Sequence, residues 1–390
     1  MSSWQGGTAV ADMTLANARL VLADEVVTGS LKSAGGRISA IDTGRGVSNG
    51  AVDLDGDFLI PGLIDLHTDN LEKHHQPRKG VLWDPVMSAI SHDAQVIAAG
   101  VTTVFDSLTL GAAAGWNSRA EMIIPMIGGL DEAHGQGLLR ADHLLHLRCE
   151  VTHPDIAPIV EEHIDHALVR FISLMDHAPG DRQSPDIERY RRFYRPAFGH
   201  DEAVLDRHIK DLMTRSATIG PGNRQSLAAL CKDRGLPLAS HDDASPAHID
   251  EAFELGCVVT EFPTTFEAAT AASASGLQVL MGAPNLIRGG SHSGNVAAGD
   301  LARSGHLDLL ASDYIPSSML AAAFLLAKPP FDWSLPQAIQ CVTREPAKAA
   351  GLDAERGEIA EGYRADLVRV RVINDRPILR AVWRNSIRVF

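Results

Sequence analysis

The sequence predicts an α/β protein: a (β/α)8 TIM barrel joined to a small β-sandwich domain built from both chain termini. Two observations carry this. From Pro61 to about Ala350, short apolar runs alternate with helical stretches, the rhythm of repeated βα units feeding a parallel sheet. On either side of that region the chain breaks into short β segments separated by turn residues. A length of 390 residues, 45% of them hydrophobic, is enough for one large domain and an accessory one. The division read from the sequence puts the barrel at 61–350, with 1–60 and 351–390 supplying the two parts of the β domain.

Taken in chain order, the first β segments are expected at 14–21, 25–32 and 37–42, with the Gly35-Gly36 pair as a turn. Eight barrel strands follow at 59–68, 102–107, 144–151, 170–177, 237–241, 258–262, 279–283 and 307–313. The small-residue stretch 268–275 reads as a helix packed closely against its neighbours. Gly357-Glu358-Ile359 and Ala365-Asp366-Leu367-Val368 open a last set of strands that runs to Phe390 and returns to the N-terminal β segments.

Composition narrows the function classes. A net charge of −14 argues against general binding to nucleic acid or anionic membranes, which calls for a basic face. No apolar run is long enough to cross a bilayer, and no secretory-type leader is read. The four cysteines are scattered without a C-x-x-C pair, which speaks against a disulfide framework or a sulfur-ligated zinc site and for a reducing, cytoplasmic setting. A homo-oligomer is left open.

The chemistry collects at strand ends, where barrels place their active sites. The first strand ends in His67 and Asp69, whose two-residue spacing turns both side chains to one side. The third ends in Glu150, the fourth in His177, and the fifth in His241 followed by Asp242 and Asp243. The sixth carries Glu261 and the eighth ends in Asp313. Along the third strand, alternation puts His146, Arg148 and Glu150 towards the barrel interior and Leu145, Leu147 and Cys149 towards the helices. Each residue taken singly has an ordinary structural use: Asp313 as a helix cap, Glu150 as a partner of Arg148, His177 as a core histidine.

Together these residues crowd charge at one end of a barrel, at roughly several kcal/mol per uncompensated buried ion. One or two divalent metal ions are the simplest compensation. The donors are oxygen and nitrogen with no thiolate, which suits Zn first and also Mn, Fe or Ni. The preferred arrangement is a binuclear centre bridged by Glu150 that acidifies a water, with Asp313 as the general base.

PGLIDLH, the later barrel histidines, the Asp of ASDY and the tail GEIAEGYRADLV resemble the amidohydrolase superfamily over almost the whole chain. A narrower resemblance is to the PhnM family of the carbon–phosphorus lyase pathway. It rests on HTDNLEKHHQPRKGVLW, LHLRCEV, SLMDHAPGDRQ, ASHDDAS, EFPTT, MGAPNLIRGGSHSGN and SDYIPSS, all in the same order. That resemblance implies metal-dependent hydrolysis of α-D-ribose 1-methylphosphonate 5-triphosphate to the 5-phosphate and diphosphate. Against the superfamily pattern, Asp69 stands for the second histidine of H-x-H, Glu150 for a bridging lysine and Glu261 for a histidine. His177 and Glu261 then compete for one role beside His241, and His177 is preferred because an imidazole adds no negative charge.

A triphosphate needs cationic or backbone donors. The glycine-rich loop after the seventh strand offers Arg288, Ser291, His292 and Asn295, while Arg182 and Asn70 are further candidates. Arg189, Arg191, Arg192 and Arg195 form either part of a lid or an ordinary solvated helix face. Two rivals stand beside this reading. One is a superfamily enzyme cleaving a C–N bond, of the N-acyl amino acid or N-acetyl sugar deacetylase type. The other is a non-catalytic member of a phosphonate-pathway assembly.

Overall fold

The structure is a computed structural model that describes residues 12–111, 117–291 and 293–390. Five strands come first: β1 (Met13–Val21), β2 (Val26–Ala34), β3 (Arg37–Thr43), β4 (Val52–Asp53) and β5 (Phe58–Pro61). The next eight are β6 (Leu63–Thr68), β7 (Val101–Leu110), β8 (Asp142–Glu150), β9 (Val169–Met175), β10 (Leu238–His241), β11 (Val259–Glu261), β12 (Gln278–Gly282) and β13 (Leu309–Ala311). Three more, β14 (Leu367–Ile373), β15 (Arg376–Arg384) and β16 (Ile387–Arg388), close the chain.

The outer strands make one mixed sheet in the order β16-β15-β14-β5-β1-β2-β3, with β4 attached to β1. Its two ends curl towards each other. Ser33 in β2 and Ser386 share an Oγ–Oγ hydrogen bond of 2.8 Å, and the Ala365 N–H donates to the Gly36 carbonyl at 2.9 Å. The rolled sheet encloses Leu15, Leu20, Leu31, Ile38, Leu59 and Trp383, an apolar filling held between two layers of the same sheet. Strands from before and after the barrel meet in this sheet, as the short β segments on either side of it in the sequence predict.

Two details differ from the sequence reading. The run 59–68 is not one strand: β5 pairs with β14 and β1 in the outer sheet, and β6 begins the barrel. Gly62 lies at the crossover, where its N–H donates to the Asp366 carbonyl at 2.8 Å and a Cβ would stand 2.1 Å from Thr102 Oγ1. Only a glycine lets the chain pass between the sheets this closely. Gly357 to Ile359 forms no strand; Ile359 instead plugs the core of the rolled sheet at 4% exposure.

Strands β6 to β13 lie side by side in sequence order, all parallel. The ring closes at the mouth through a parallel bridge between Thr68 and Asp313. There the Asp313 N–H donates to the His67 carbonyl and the Asp69 N–H to the Asp313 carbonyl, each at 2.9 Å. Ile64, Leu66, Phe105, Phe171, Val259, Leu280 and Leu309 fill the barrel interior. Leu145, Leu147 and Cys149 of β8 face the helices, as their alternation requires.

Beyond β9 the chain leaves the barrel for the helices Ile187–Tyr194, Arg195–Phe198 (3-10), Glu202–Thr218 and Gly220–Arg234. This excursion has a small core of its own, built on Tyr190, Leu205, Ile209 and Leu212. The helix Phe266–Ser275 buries Ala268, Ala269 and Ala272, so its small residues serve close packing. Among the described residues no helix is long and apolar enough to cross a membrane.

Candidate active site

A cavity of about 470 Å³ opens at the C-terminal ends of the barrel strands. His67, Asp69, Arg148, His241, Asp242 and Asp313 line it from the strand ends. The segment after β12 contributes Asn285, Arg288, Ser291, Ser293 and Asn295 to the same cavity. Of the phosphate contacts expected from the sequence, Arg288, Ser291 and Asn295 therefore meet the expected ligands; His292 lies outside the described residues.

Local backbone geometry aims these groups. The β6–β7 register slips between Asp65 and Thr68, a bulge that turns His67 towards the mouth although Ile64 and Leu66 face inward below it. Asp65 is buried there, accepting from the His67 N–H at 3.3 Å and the Ser312 N–H at 3.0 Å. Asp242, Phe262 and Asp313, at or just past their strand ends, adopt φ of 55°, 54° and 55°. For phenylalanine this left-handed backbone costs on the order of 1 kcal/mol or more. Phe262 sets its ring edge to face against both His67 and His241, with centroids 4.9 and 5.4 Å away.

Three imidazoles at this mouth are each held by a buried carboxylate through Nδ1. Glu261 takes His67 Nδ1 and His241 Nδ1, each at 3.1 Å, and Glu150 takes His177 Nδ1 at 2.7 Å. Such contacts fix the tautomer and leave Nε2 as the ring atom for another partner. His67 Nε2 lies 3.9 Å from Asp69 Oδ1, and His241 Nε2 lies 3.4 Å from Asp242 Oδ2. Burial works to raise the pKa of Glu261, but His67, His146 and His241 outweigh it and hold the carboxylate well below its ordinary range. Burial likewise works against charge on His67, and Glu261 outweighs it, so the His67 pKa is raised.

Donor atoms of His177, His241 and Asp242 come within 4.8 Å of one another. Asp242 Oδ2 is buried without a hydrogen-bond partner, and a carboxylate oxygen left in that state beside two imidazoles fits a divalent cation. The grouping of His67, His146 and Glu261 fits one less well. His146 Nδ1 is taken by the Leu66 carbonyl at 3.1 Å and Ser107 Oγ at 3.2 Å, and its Nε2 by Ser173 Oγ at 2.9 Å. Burial pushes His146 down to about 3, so it is a neutral core histidine.

The geometry corrects several assignments made from the sequence. The Glu150 carboxylate accepts from Thr152 Oγ1 at 2.7 Å and meets His177 Nδ1 at 2.7 Å, and it is not among the residues lining the cavity. Glu261 and His177 do not compete for one place, because Glu261 lies beneath His67 and His241 while His177 stands beside Asp242. Arg182 turns inward, donating to Asp243 Oδ1 at 2.6 Å and the His241 carbonyl at 3.3 Å. Asn70 turns behind the barrel to Gln95 Oε1 at 2.6 Å and His92 Nδ1 at 3.3 Å. Of the four arginines read as part of a lid or as a solvated helix face, Arg191 pairs with Asp206, Arg195 pairs with Glu202, and Arg189 donates to the Ser293 carbonyl beside the cavity.

Asp313 is partly open to the cavity; burial, and then the negative charge of Asp69, hold its pKa above the ordinary value. Arg148, read from the sequence only as an inward residue, reaches the mouth and donates through Nη1 to Asp69 Oδ1 at 2.7 Å. Its signal was present in the alternation of β8, and that of Asp242 in its place directly after His241.

Residues 70–380 match the amidohydrolase family, four-fifths of the chain. The chain belongs to the amidohydrolase family. Within that family, it is 45% identical over 379 residues to the α-D-ribose 1-methylphosphonate 5-triphosphate diphosphatase of Escherichia coli K12, a match covering 97% of this chain and 100% of that one. This places the amidohydrolase in the PhnM branch, as its motifs suggest. Solved structures share the fold at low identity. The 5-methylcytosine deaminase of Klebsiella pneumoniae superposes with a TM-score of 0.67 at 16% identity, covering 97% of this chain and 98% of that one. The N-acetyl-D-glucosamine-6-phosphate deacetylase of Mycobacterium smegmatis gives 0.63 at 16% identity, covering 97% and 100%.

Proposed function

We propose that this amidohydrolase hydrolyses α-D-ribose 1-methylphosphonate 5-triphosphate to the 5-phosphate and diphosphate. The observation that carries the reading is one cavity with a carboxylate and imidazole face from the strand ends and a loop offering Arg288, Ser291 and Asn295. The full-length likeness to the Escherichia coli diphosphatase supports the same substrate. The barrel, at 61–350, is the catalytic unit of this reading, and 1–60 with 351–390 its β domain.

A divalent ion held by His177, His241 and Asp242 would acidify a water and offset charge on the phosphates. Zn suits these donors first, with Mn, Fe or Ni as alternatives. Glu150 and Glu261 orient the imidazoles, and Arg288 with the Ser291 and Asn295 side chains holds the outer phosphates. The attacking water forms a bond to the α-phosphorus, the bond from that phosphorus to the bridging oxygen breaks, and diphosphate leaves with that oxygen. Asp313 accepts the proton from the attacking water. A cytoplasmic setting belongs to the proposal, resting on four cysteines that are all buried free thiols.

The test is turnover: the purified, zinc-loaded protein is given the ribose triphosphate and, separately, N-acetylated sugars and amino acids. Stoichiometric diphosphate release supports the proposal. Amide hydrolysis without triphosphate turnover would establish the C–N bond reading in its place.

A further inference from the structure

We propose that the Arg148 guanidinium is a built-in second cation of the centre, so that the site takes one divalent ion where two could otherwise be held. The inference deepens the metal-dependent reading above and rests on it.

Arg148 projects from β8 into the barrel mouth, and its side chain is only 9% exposed. Nη1 donates to Asp69 Oδ1 at 2.7 Å, and the other charges that act on the guanidinium most strongly are the carboxylates of Glu261, Asp313 and Asp242. His67 Nε2 and Asp69 Oδ1 stand 3.9 Å apart. That pair resembles the donors of a second ion, but Arg148 already holds the Asp69 oxygen. A guanidinium does not give up its proton in a protein, so this positive charge is permanent, whereas a lysine could vacate it by deprotonation.

Two independent observations point the same way. Glu150, the residue placed by sequence to bridge two ions, is engaged by Thr152 and His177 and does not line the cavity. Arg148 Nε is buried without a hydrogen-bond partner, a cost tolerated where a fixed charge among carboxylates outweighs it. One divalent ion and Arg148 together bring three positive charges to the four carboxylates Asp69, Asp242, Glu261 and Asp313. A second divalent ion at His67 and Asp69 would exceed that balance and lie against the guanidinium.

The experiment is cobalt titration of the full-length metal-free protein, followed by visible absorption and checked by elemental analysis after gel filtration. The wild type is expected to saturate at one equivalent. Arg148→Met, which keeps much of the side-chain volume without the charge, is expected to bind a second equivalent. Adding Asp69→Asn to Arg148→Met should remove the extra ion. Two equivalents in the wild type would overturn the proposal, whatever the variants do. A folded Arg148→Met protein that stays at one equivalent would overturn it too. No substrate enters the titration, so its outcome is separate from that of the triphosphate assay.

Discussion

His67 and His241 stack nearly parallel across the barrel mouth, their ring centroids 5.7 Å apart and their planes 19° apart. Glu261 sets this arrangement by taking Nδ1 of both rings at 3.1 Å. One carboxylate, fully buried, thus orients two imidazoles on strands far apart in sequence. Replacing it by an amide should weaken that hold without creating a cavity. Glu261→Gln is therefore expected to lose about 10–100-fold in metal affinity. Competition with a chelator measures this, and unchanged affinity would remove the orienting role.

Asp313 and His241 should separate chemistry from metal binding. Asp313→Asn removes the proton acceptor and is expected to cut kcat by about 10²–10⁴-fold with metal content retained. His241→Ala should lose the metal itself. Elemental analysis beside steady-state kinetics distinguishes the two; equal metal loss in both variants contradicts the division.

Arg182 and Arg288 should behave oppositely although both were candidates for phosphate contacts. Arg182→Ala strands the buried Asp243 carboxylate, which is also held by Thr260 Oγ1 at 2.7 Å. The expected loss is about 3–5 kcal/mol of stability, seen in denaturant melts. Arg288 is exposed on the cavity rim, so Arg288→Ala should leave the melt unchanged. It should raise KM for the triphosphate by about tenfold or more, the effect of losing a charged hydrogen bond.

Behind the barrel, Asp106 links His143 Nδ1 at 2.8 Å and His92 Nε2 at 2.6 Å in a fully buried network. Burial works against charge on His143, but Asp106 and Asp93 outweigh it and raise its pKa to about 9. Its contribution to stability is complete below the ordinary 6.5 and is lost as pH rises through about 9. Asp106, lowered to about 2 against its own burial by His143 and His92, contributes above 3.8 and loses that contribution as pH falls through about 2. Urea melts across pH should show stability falling from pH 6.5 to 9, and Asp106→Asn should flatten that fall. An equally steep fall in the variant would assign the slope to other groups.

The barrel and the strand-end chemistry were legible because each depends on local pattern. Alternation along LHLRCE placed Arg148 inside and Leu147 outside, and His67 and His241 at their strand ends reached a common mouth. The crossover at Gly62 was hidden because β5 and β6 form one continuous apolar run, and only Asp366 and Thr102, distant in sequence, reveal the break. The roles of Glu150 and Arg182 were hidden for a related reason. A charged side chain at a strand end reads alike whether it faces substrate or a carboxylate or imidazole supplied by another strand. What separates the cases is partner geometry: Thr152 and His177 for Glu150, Asp243 for Arg182.

Attack at the α-phosphorus in this cavity is tested by turnover of the ribose triphosphate in ¹⁸O-labelled water, with mass spectrometry of both products. One labelled oxygen is expected in the ribose 5-phosphate and none in the diphosphate; label in the diphosphate would contradict attack at the α-phosphorus.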